Sequence, residues 1–229
     1  MEQTNAICYI VGAMPVEPEL AAQPGLNDLI IAADGGYATL RALGVTPHLV
    51  VGDFDSLGSV PDHPAVHRLP CEKDDTDIGY ALKVALERGF TRFILLGGMG
   101  GRMDHTIANL QLLHYLSLHG AVGILAGSGQ AATVITNGSF PFPETMSGYC
   151  SVFAWGGPAR GVTLEGLKYS LSGAQLDAHF PLGVSNEFLG VPARVCVEDG
   201  SLLLTWQTGT QPAALLPVLL SQFMTERNH

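Results

Sequence analysis

Charge is scarce in this chain. Asp, Glu, Lys and Arg together make up 14% of its 229 residues, against about 25% in a typical globular protein. Only 11 residues are Lys or Arg, and they are scattered along the sequence instead of clustering in a basic stripe. This distribution argues against a nucleic acid as a partner. Because the net charge is −10, an anionic substrate would need a metal ion to be held.

Paired cysteines and long apolar runs are missing as well. The four cysteines (Cys8, Cys71, Cys150 and Cys196) are far apart and form no Cys-x-x-Cys motif, which favours a reducing cytoplasm over a disulfide scaffold. No uninterrupted apolar run reaches the roughly 18 residues of a membrane span. The N-terminal segment has no basic region before its short apolar run, so it matches a signal peptide poorly. We therefore expect a cytoplasmic protein that does not enter a membrane.

The first part of the chain, up to about residue 136, alternates short apolar runs with segments of helical period, which predicts a βα pattern. Nearly continuous apolar strands are typical of a parallel sheet that is covered on both faces. The predicted strands are Ala6–Val11, Asp28–Ala33, His48–Val51, Arg92–Leu96 and Ala121–Ala126. The predicted helices are Tyr37–Leu43, Asp77–Arg88 and Asp104–His119. We expect residues 1–136 to form an α/β domain with a mainly parallel, Rossmann-like sheet in three layers.

The second part, residues 137–229, is rich in Gly and Pro, and its apolar runs are too short for helices. Strands joined by turns, as in an all-β sandwich or barrel, are the expected structure. Arg194–Glu198 and Ser201–Trp206 flank Asp199-Gly200, a pair of residues that predicts a two-residue β-hairpin turn. After Thr208 the pattern is ambiguous and allows a short final helix.

Acidic motifs are concentrated in one quarter of the chain. They are Ala33-Asp34-Gly35-Gly36, Gly52-Asp53-Phe54-Asp55-Ser56 and Lys73-Asp74-Asp75-Thr76-Asp77. Two carboxylates about 4 Å apart repel by roughly 4 kcal/mol at an effective dielectric constant near 20, so a folded cluster of them calls for a cation. Carboxylate oxygens without Cys or His at ligand spacing favour Mg²⁺. The alternative is that each Asp is a separate turn residue.

Position within these motifs separates the candidates. Asp34 and Asp53 directly follow predicted strands, where ligands bind in open α/β sheets. Asp53 and Asp55 point the same way if the backbone between them is extended, and could then share one ion. Asp77 begins a predicted helix and is the preferred ligand of the third motif. The open alternative there is helix capping, for which Asp75 and the neighbouring Thr76 are suitable residue types.

A fourth motif, Leu96–His105, contains four glycines followed by Arg102, Asp104 and His105. It lies between a predicted strand and a helix N-terminus, where backbone N–H groups and the helix dipole bind phosphate. The motif is neither a Walker A loop nor a clean Gly-x-Gly-x-x-Gly sequence. Arg102 adds a fixed cation that can bind two phosphate oxygens at once. The role of His105 stays open, since a helix-start residue can also bond locally.

The four motifs in this order resemble those of thiamine pyrophosphokinases, especially the bacterial type. The resemblance spans most of the first 140 residues. In the second half, Gly183-Val184-Ser185-Asn186-Glu187, together with Gly166–Tyr169, is similar to the thiamine-binding region of that family. The segment from Gln207 onward matches no pattern of the family.

The resemblance implies an α/β catalytic domain, a C-terminal β-sandwich and a homodimer with its sites at the subunit interface. It implies transfer of the β,γ-diphosphate of ATP to the hydroxyl of thiamine, which releases AMP. The implied Mg²⁺ and catalytic residues are Asp53, Asp55 and Asp77, with Arg102 on the phosphates. The implied nucleotide-site residues are Asp34, Gly35, Gly36, Asp74, Gly98, Gly101, Arg102, Asp104 and His105. The implied thiamine contacts are Ser185 and Asn186.

Two other functions remain open from the residues. Clustered aspartates beside an Asp-His pair also suit a metal-dependent phosphohydrolase that activates water. A non-catalytic module that binds nucleotide or thiamine would keep the pocket without turnover. AMP that forms only in the presence of thiamine indicates the kinase, phosphate release without thiamine indicates hydrolysis, and binding without AMP indicates the module.

Overall fold

The computed structural model describes residues 6–16, 24–54, 59–70, 74–208 and 215–227. Twelve strands in this part of the chain form one mixed sheet with the order β10-β9-β12-β7-β6-β5-β1-β2-β3-β4, and β8 and β11 attach beside β12. The elements are β1 (Cys8–Val11), β2 (Leu29–Ala33), α1 (Gly36–Ala42), β3 (Leu49–Gly52), β4 (Val66–Arg68), α2 (Asp77–Glu87), β5 (Arg92–Leu96), α3 (Met103–Leu118), β6 (Val122–Gly127), β7 (Gln130–Phe142), β8 (Tyr149–Ala154), β9 (Ala159–Glu165), β10 (Leu171–Leu176), β11 (Gly183–Glu187), β12 (Ala193–Gln207) and α4 (Leu215–Arg227).

The chain divides into two compact units. The first comprises Met1–Leu112 with Leu125–Ser128, and the second comprises Leu113–Ile124 with Gly129–His229. In the first unit, β1 lies between β2 and β5, and both pairings are parallel. β3 continues the parallel order next to β2, and β4 follows at the edge. The five strands and three helices that the sequence predicts within residues 1–136 are confirmed to within two residues at each end.

Burial explains why these strands were readable from the sequence. Every residue of β1, β2, β3 and β5 is buried, as expected for a parallel sheet covered on both faces. Helices α1 and α2 both contact β1 and β2. The short edge strand β4 was not predicted, because it has one apolar residue, Val66, and its other two residues are exposed.

The second unit is built on antiparallel pairing. The long strand β12 pairs with β7 over most of its length, and on its other side it pairs first with β9 and then with β8. Strand β10 continues from β9, and β11 continues from β8. Helix α4, the short final helix that the sequence allowed, contacts β7.

The predicted hairpin at Asp199-Gly200 is wrong. Both residues lie inside β12, where the pairing with β7 shifts in register between Val197 and Ser201. Gly200 has φ +107°, and its N–H donates to Oδ1 of Asn137 on β7 at 2.9 Å. An Asp-Gly pair supplies the same positive φ to a β-bulge as to a hairpin turn. Here the flanking halves both pair with β7 and not with each other.

Aromatic side chains form the core between β7, β12 and α4. The ring of Phe140 lies 5.0 Å from that of Phe142 and 5.6 Å from that of Phe223. The ring of Phe142 also lies 5.4 Å from that of Trp206 and 5.1 Å from that of Phe188. Such offset and edge-on contacts add about 0.5–1.5 kcal/mol each to the burial of the rings.

No helix in the described ranges is long and apolar enough to cross a membrane.

Candidate active site

A cavity of about 360 Å³ opens at the carboxyl ends of the parallel strands in the first unit. Four strand ends and two helices contribute to its wall. The lining residues are Gly12, Ala13 and Met14 after β1, Ala33 and Asp34 at the end of β2, Asp53 after β3, Gly97, Gly98 and Gly100 after β5, Thr76, Asp77 and Ile78 at the start of α2, and Arg102, His105 and Asn109 at α3. This is the edge of an open α/β sheet at which ligands bind.

Asp34 and Asp53 both line the cavity because they follow β2 and β3, which are paired to their ends. The backbone N–H of Asp34 donates to the carbonyl of Val51 at 2.8 Å, which extends the ladder by one residue. A Cβ at Gly52 would lie 3.1 Å from the Cα of Asp34. Glycine at position 52 thus lets the ends of β2 and β3 lie side by side, with both carboxylates on one wall of the cavity.

Backbone geometry between Asp53 and Asp55 differs from the extended form on which their predicted common orientation depended. Phe54 has φ +64°, a left-handed conformation that is uncommon for a bulky residue. Its ring is buried, with 2% of its surface exposed. Asp55 itself lies outside the described residues, so its place in the site stays a prediction.

Helix α2 delivers Asp77 to the cavity as its first residue. Thr76 precedes it as the N-cap, and its side-chain oxygen accepts a hydrogen bond from the N–H of Gly79 at 3.0 Å. The cap is therefore Thr76, and the alternative that Asp75 caps the helix is wrong. Asp75 instead binds Lys83 with both carboxylate oxygens, at 2.7 and 2.8 Å. Asp74 is exposed and is not part of the cavity wall.

The glycine-rich segment after β5 lies directly against the end of β1. The N–H of Met14 donates to the carbonyl of Gly97 at 3.0 Å. Gly97 has φ +63°, and a Cβ there would lie 2.6 Å from the carbonyl oxygen of Gly12. No other residue type fits this position without a shift of the backbone. Gly98 and Gly100 line the cavity, whereas Gly101 packs beside the sulfur of Met14 and does not line it.

Arg102 enters the cavity wall together with a fixed partner. Its guanidinium forms two hydrogen bonds with the carboxylate of Asp104, and both side chains are mostly exposed. Asp104 also accepts a bond from the backbone N–H of His105 at 3.0 Å. The hydrogen bond from Arg102 lowers the pKa of Asp104 below its ordinary value and raises the pKa of Arg102. Asp104 thus orients Arg102, and His105 lies beside them in the wall.

The other predicted site residues lie elsewhere. Gly35 and Gly36 begin α1, and a side chain at Gly36 would overlap the carbonyl oxygen of Val11. Ser185 and Asn186 belong to β11 in the second unit. The amide of Asn186 is 3% exposed, and it accepts from the N–H and donates to the carbonyl of Tyr169 at 2.9 and 2.7 Å. In this structure Asn186 therefore holds the backbone of Tyr169.

The sequence did not point to three parts of the wall: the residues after β1, Ile78 next to Asp77, and Asn109. Gly12, Ala13 and Met14 follow the first predicted strand, and the glycine after that strand was the available signal. Asn109 was also missed, although it follows His105 by four residues and therefore shares its helix face. Its Nδ2 donates to the carbonyl oxygen of Gly98 at 2.6 Å, a contact between distant residues that no local pattern contains.

The carboxylates in the wall suit a hard cation. Asp34, Asp53 and Asp77 offer oxygen ligands of the kind that Mg²⁺ prefers, whereas Zn²⁺ sites favour Cys and His. Among the residues with described coordinates, no three His, Cys, Asp or Glu side chains gather closely enough to hold a metal ion by themselves. A complete ligand set would therefore draw on substrate oxygens, water or residues outside the described ranges.

Two family models match this chain, and both describe the same enzyme family. "Thiamin pyrophosphokinase, catalytic domain" matches residues 26–124, which include Asp34, Asp53, Asp77 and Arg102. "Thiamin pyrophosphokinase, vitamin B1 binding domain" matches residues 139–202. The chain belongs to the thiamin pyrophosphokinase family.

Relatives of this family resemble the chain over most of its length. The thiamine pyrophosphokinase of Bacillus subtilis (strain 168) is 29% identical over 199 residues, which are 83% of this chain and 92% of that protein. A crystal structure of the B. subtilis enzyme has a TM-score of 0.78 at 27% identity and covers 88% of this chain and 98% of its own. The thiamin pyrophosphokinase structure from Geobacillus thermodenitrificans has a TM-score of 0.76 at 26% identity, with coverages of 90% and 99%. The α/β architecture with a large mixed sheet is thus shared with these structures.

Proposed function

We propose that this protein transfers the β,γ-diphosphate of ATP to the hydroxyl of thiamine, which gives thiamine diphosphate and AMP. One observation carries the proposal: in a chain that matches both domains of one kinase family, carboxylates and a guanidinium line one cavity beside a glycine-rich strand end. The thiamine oxygen forms a bond to the β-phosphorus while the bond from that phosphorus to the oxygen of AMP breaks. The hydroxyl proton passes to a general base.

Phosphoryl transfer asks a protein mainly for positioning and for neutralisation of charge on the phosphates. Arg102 is suited to this because Asp104 holds its guanidinium at the cavity wall. His105 and the backbone of Gly98 complete that side of the proposed phosphate site. The rest of the proposed nucleotide site is Asp34 in the cavity wall. With it we propose five residues that lie outside the wall but near wall residues in the sequence: Gly35, Gly36, Asp74, Gly101 and Asp104.

We assign Mg²⁺ as the cofactor, held by Asp53, Asp55 and Asp77. When bound, the ion would neutralise phosphate charge that the carboxylates would otherwise repel. Asp53 and Asp77 line the same cavity, and the helix dipole of α2 stabilises the anionic form of Asp77. Without a cation, this wall disfavours a polyphosphate.

A finer division of the fold accompanies this function. We propose that residues 1–136 are a Rossmann-like three-layer catalytic domain that binds ATP. Residues 137–229 would be a β-sandwich that binds thiamine, with contacts from Ser185 and Asn186. Parallel pairing of β1, β2, β3 and β5 and antiparallel pairing of β7 to β12 support the two descriptions.

We also propose a homodimer with its sites near the subunit interface, in the cytoplasm. Large apolar side chains are exposed within a short stretch of the second unit, as expected of an interface. They are Tyr169, Phe180, Leu182, Val184, Leu189 and Val191. Light scattering at micromolar concentration should give twice the chain mass of 24.2 kDa. A monomer mass at the concentration that supports turnover would contradict the dimer.

The function is tested by product analysis. The purified protein is incubated with thiamine, ATP and Mg²⁺, and thiamine diphosphate and AMP are measured by chromatography in reactions with and without thiamine. We expect both products in equal amounts, with AMP only when thiamine is present. ADP in place of AMP would contradict diphosphate transfer, and phosphate release without thiamine would indicate hydrolysis.

A further inference from the structure

Asn109 is a buried polar residue in the wall of the cavity. Only 3% of its surface is exposed, yet it lines the same space as Arg102 and His105. Its Nδ2 lies 2.6 Å from the carbonyl oxygen of Gly98, to which it donates a hydrogen bond. The bond joins the middle of α3 to the strand end after β5.

The contact between Asn109 and Gly98 leaves no free space. A Cβ on Gly98 would lie 2.7 Å from Nδ2 of Asn109, and 3.2 and 3.3 Å from side-chain carbons of Leu125 and Ile78. One helical turn earlier, Thr106 accepts a bond from the N–H of Gly100 at 3.2 Å. Two side chains of α3 therefore fix the glycine-rich segment, one through a carbonyl and one through an N–H.

We propose that Asn109 is a positioning residue for the nucleotide phosphates, an inference that rests on the proposed use of this cavity for ATP. A carbonyl oxygen without a donor in the wall would repel phosphate oxygens and would leave the Gly98–Met99 peptide free to rotate. Donation by Asn109 neutralises part of the charge on that oxygen and locks the peptide plane. The segment then keeps one orientation toward the cavity before the nucleotide arrives.

The test compares Asn109→Ala with a matched control, Thr133→Val. Thr133 is fully buried in the second unit, where its hydroxyl donates to the carbonyl of Gly123 at 2.7 Å. Both substitutions remove a buried side-chain bond to a carbonyl, so both should lower the melting temperature. We expect Asn109→Ala to raise KM for ATP by about tenfold or more. KM for thiamine and kcat should change by less than about twofold, and Thr133→Val should leave KM for ATP unchanged.

A binding measurement tests the role of Asn109 separately from the proposed kinase activity. Calorimetry with α,β-methylene ATP and Mg²⁺ needs no turnover, and we expect Asn109→Ala to bind this analogue about tenfold more weakly than the wild type. Asn109→Asp, which keeps the size but loses the donor, should weaken binding at least as much and replaces the alanine variant if that fails to fold. If the wild type makes no thiamine diphosphate but the binding loss appears, the function is wrong and the role of Asn109 stands. Equal affinities in wild type and variants, or no binding to the wild type, would overturn that role.

Discussion

Arg102 and Asp104 stand two residues apart at the start of α3, and Nε of the guanidinium donates to Oδ1 of the carboxylate at 3.2 Å while Nη2 donates to Oδ2. The hydrogen bonds lower the pKa of Asp104 and raise that of Arg102. Both shifts favour the charged forms of the two groups. The pair holds the guanidinium at the cavity wall and uses only two of its five N–H donors.

Replacing Arg102 by Ala should lower kcat by about 10²–10³-fold, because the phosphates lose a charged donor in the transition state. Steady-state rates of AMP formation measure the effect. Arg160→Ala is the control, since Arg160 forms a similar exposed ion pair with Asp199 at 2.9 Å and belongs to the second unit. Turnover near that of the wild type in Arg102→Ala would remove Arg102 from the mechanism.

Substitution of Asp53 or Asp77 by Asn should raise the Mg²⁺ concentration for half-maximal activity by about tenfold or more, because each would take away a ligand. The control is Asp75→Asn in the same motif. Asp75 pairs with Lys83 near the surface, so its loss should cost less than about 1 kcal/mol of stability and leave the Mg²⁺ requirement unchanged. An equal shift in all three variants would show a general effect of negative charge.

A chain of hydroxyl groups fixes the tautomer of His114. Ser117 donates to the carbonyl of His114, so Thr136 must donate to Ser117 and Ser201 must donate to Thr136, at 2.8 and 2.7 Å. Each hydroxyl has one proton to give. The Nε2 of His114 must therefore carry the proton that it shares with Ser201 at 3.0 Å. We expect the ¹⁵N chemical shifts of the imidazole to show the Nε2–H form near neutral pH.

Burial lowers the pKa of His114 below its ordinary value of 6.5. The unfolded chain therefore binds this proton at a higher pH than the folded protein, and stability falls as the pH drops below about 6.5. When the pH is lowered from about 7.5 to about 5.5, the melting temperature of His114→Gln should fall less than that of the wild type. His119→Gln, at an exposed histidine of the same helix, should follow the wild type. Identical pH dependence in all three proteins would contradict this account.

Thiol reactivity should differ among the three cysteines in the described part of the chain. Burial raises the pKa of the Cys150 thiol to about 12 and raises that of Cys8 as well, and both side chains are enclosed, whereas Cys196 is partly exposed. Since the thiolate is the reactive form, iodoacetamide near pH 8 should modify Cys196 before the other two. Peptide mass spectrometry measures the order. Modification of Cys8 at the rate of Cys196 in the native protein would contradict it.

Much of the first unit could be predicted because its signals are local. Strand β5 was predicted with its observed ends, and Asp77 at the start of α2 followed from the helical period and the turn residues before it. Those signals fail where tertiary contacts decide. Thr76 and Asp75 are both suitable N-cap residues. The sequence alone therefore does not decide which of them caps α2 and which pairs with Lys83.

The site was predictable at the level of chemistry more than of contacts. Acidic residues after two strands indicated one edge of the sheet, and Asp34, Asp53 and Asp77 do line one cavity there. The left-handed backbone at Phe54 had no local signal, because its sequence favours an extended conformation. Asn109 could not be predicted for another reason, since its partner Gly98 is 11 residues away, in the segment after β5.

The register shift at Asp199-Gly200 also decides which residues of β12 face the core. Before the register shift, the odd-numbered Val195 and Val197 are buried, whereas Arg194 and Glu198 are exposed and Cys196 is half-buried. After it, Ser201–Leu204 are all buried, and the alternation returns only at the end of the strand, where the even-numbered Trp206 is buried between the half-buried Thr205 and the exposed Gln207. Had the first alternation simply continued, Trp206 would point outward. An insertion of two residues at this position therefore leaves the same side chains facing the core. An insertion of one turns every later side chain of β12 to the opposite face.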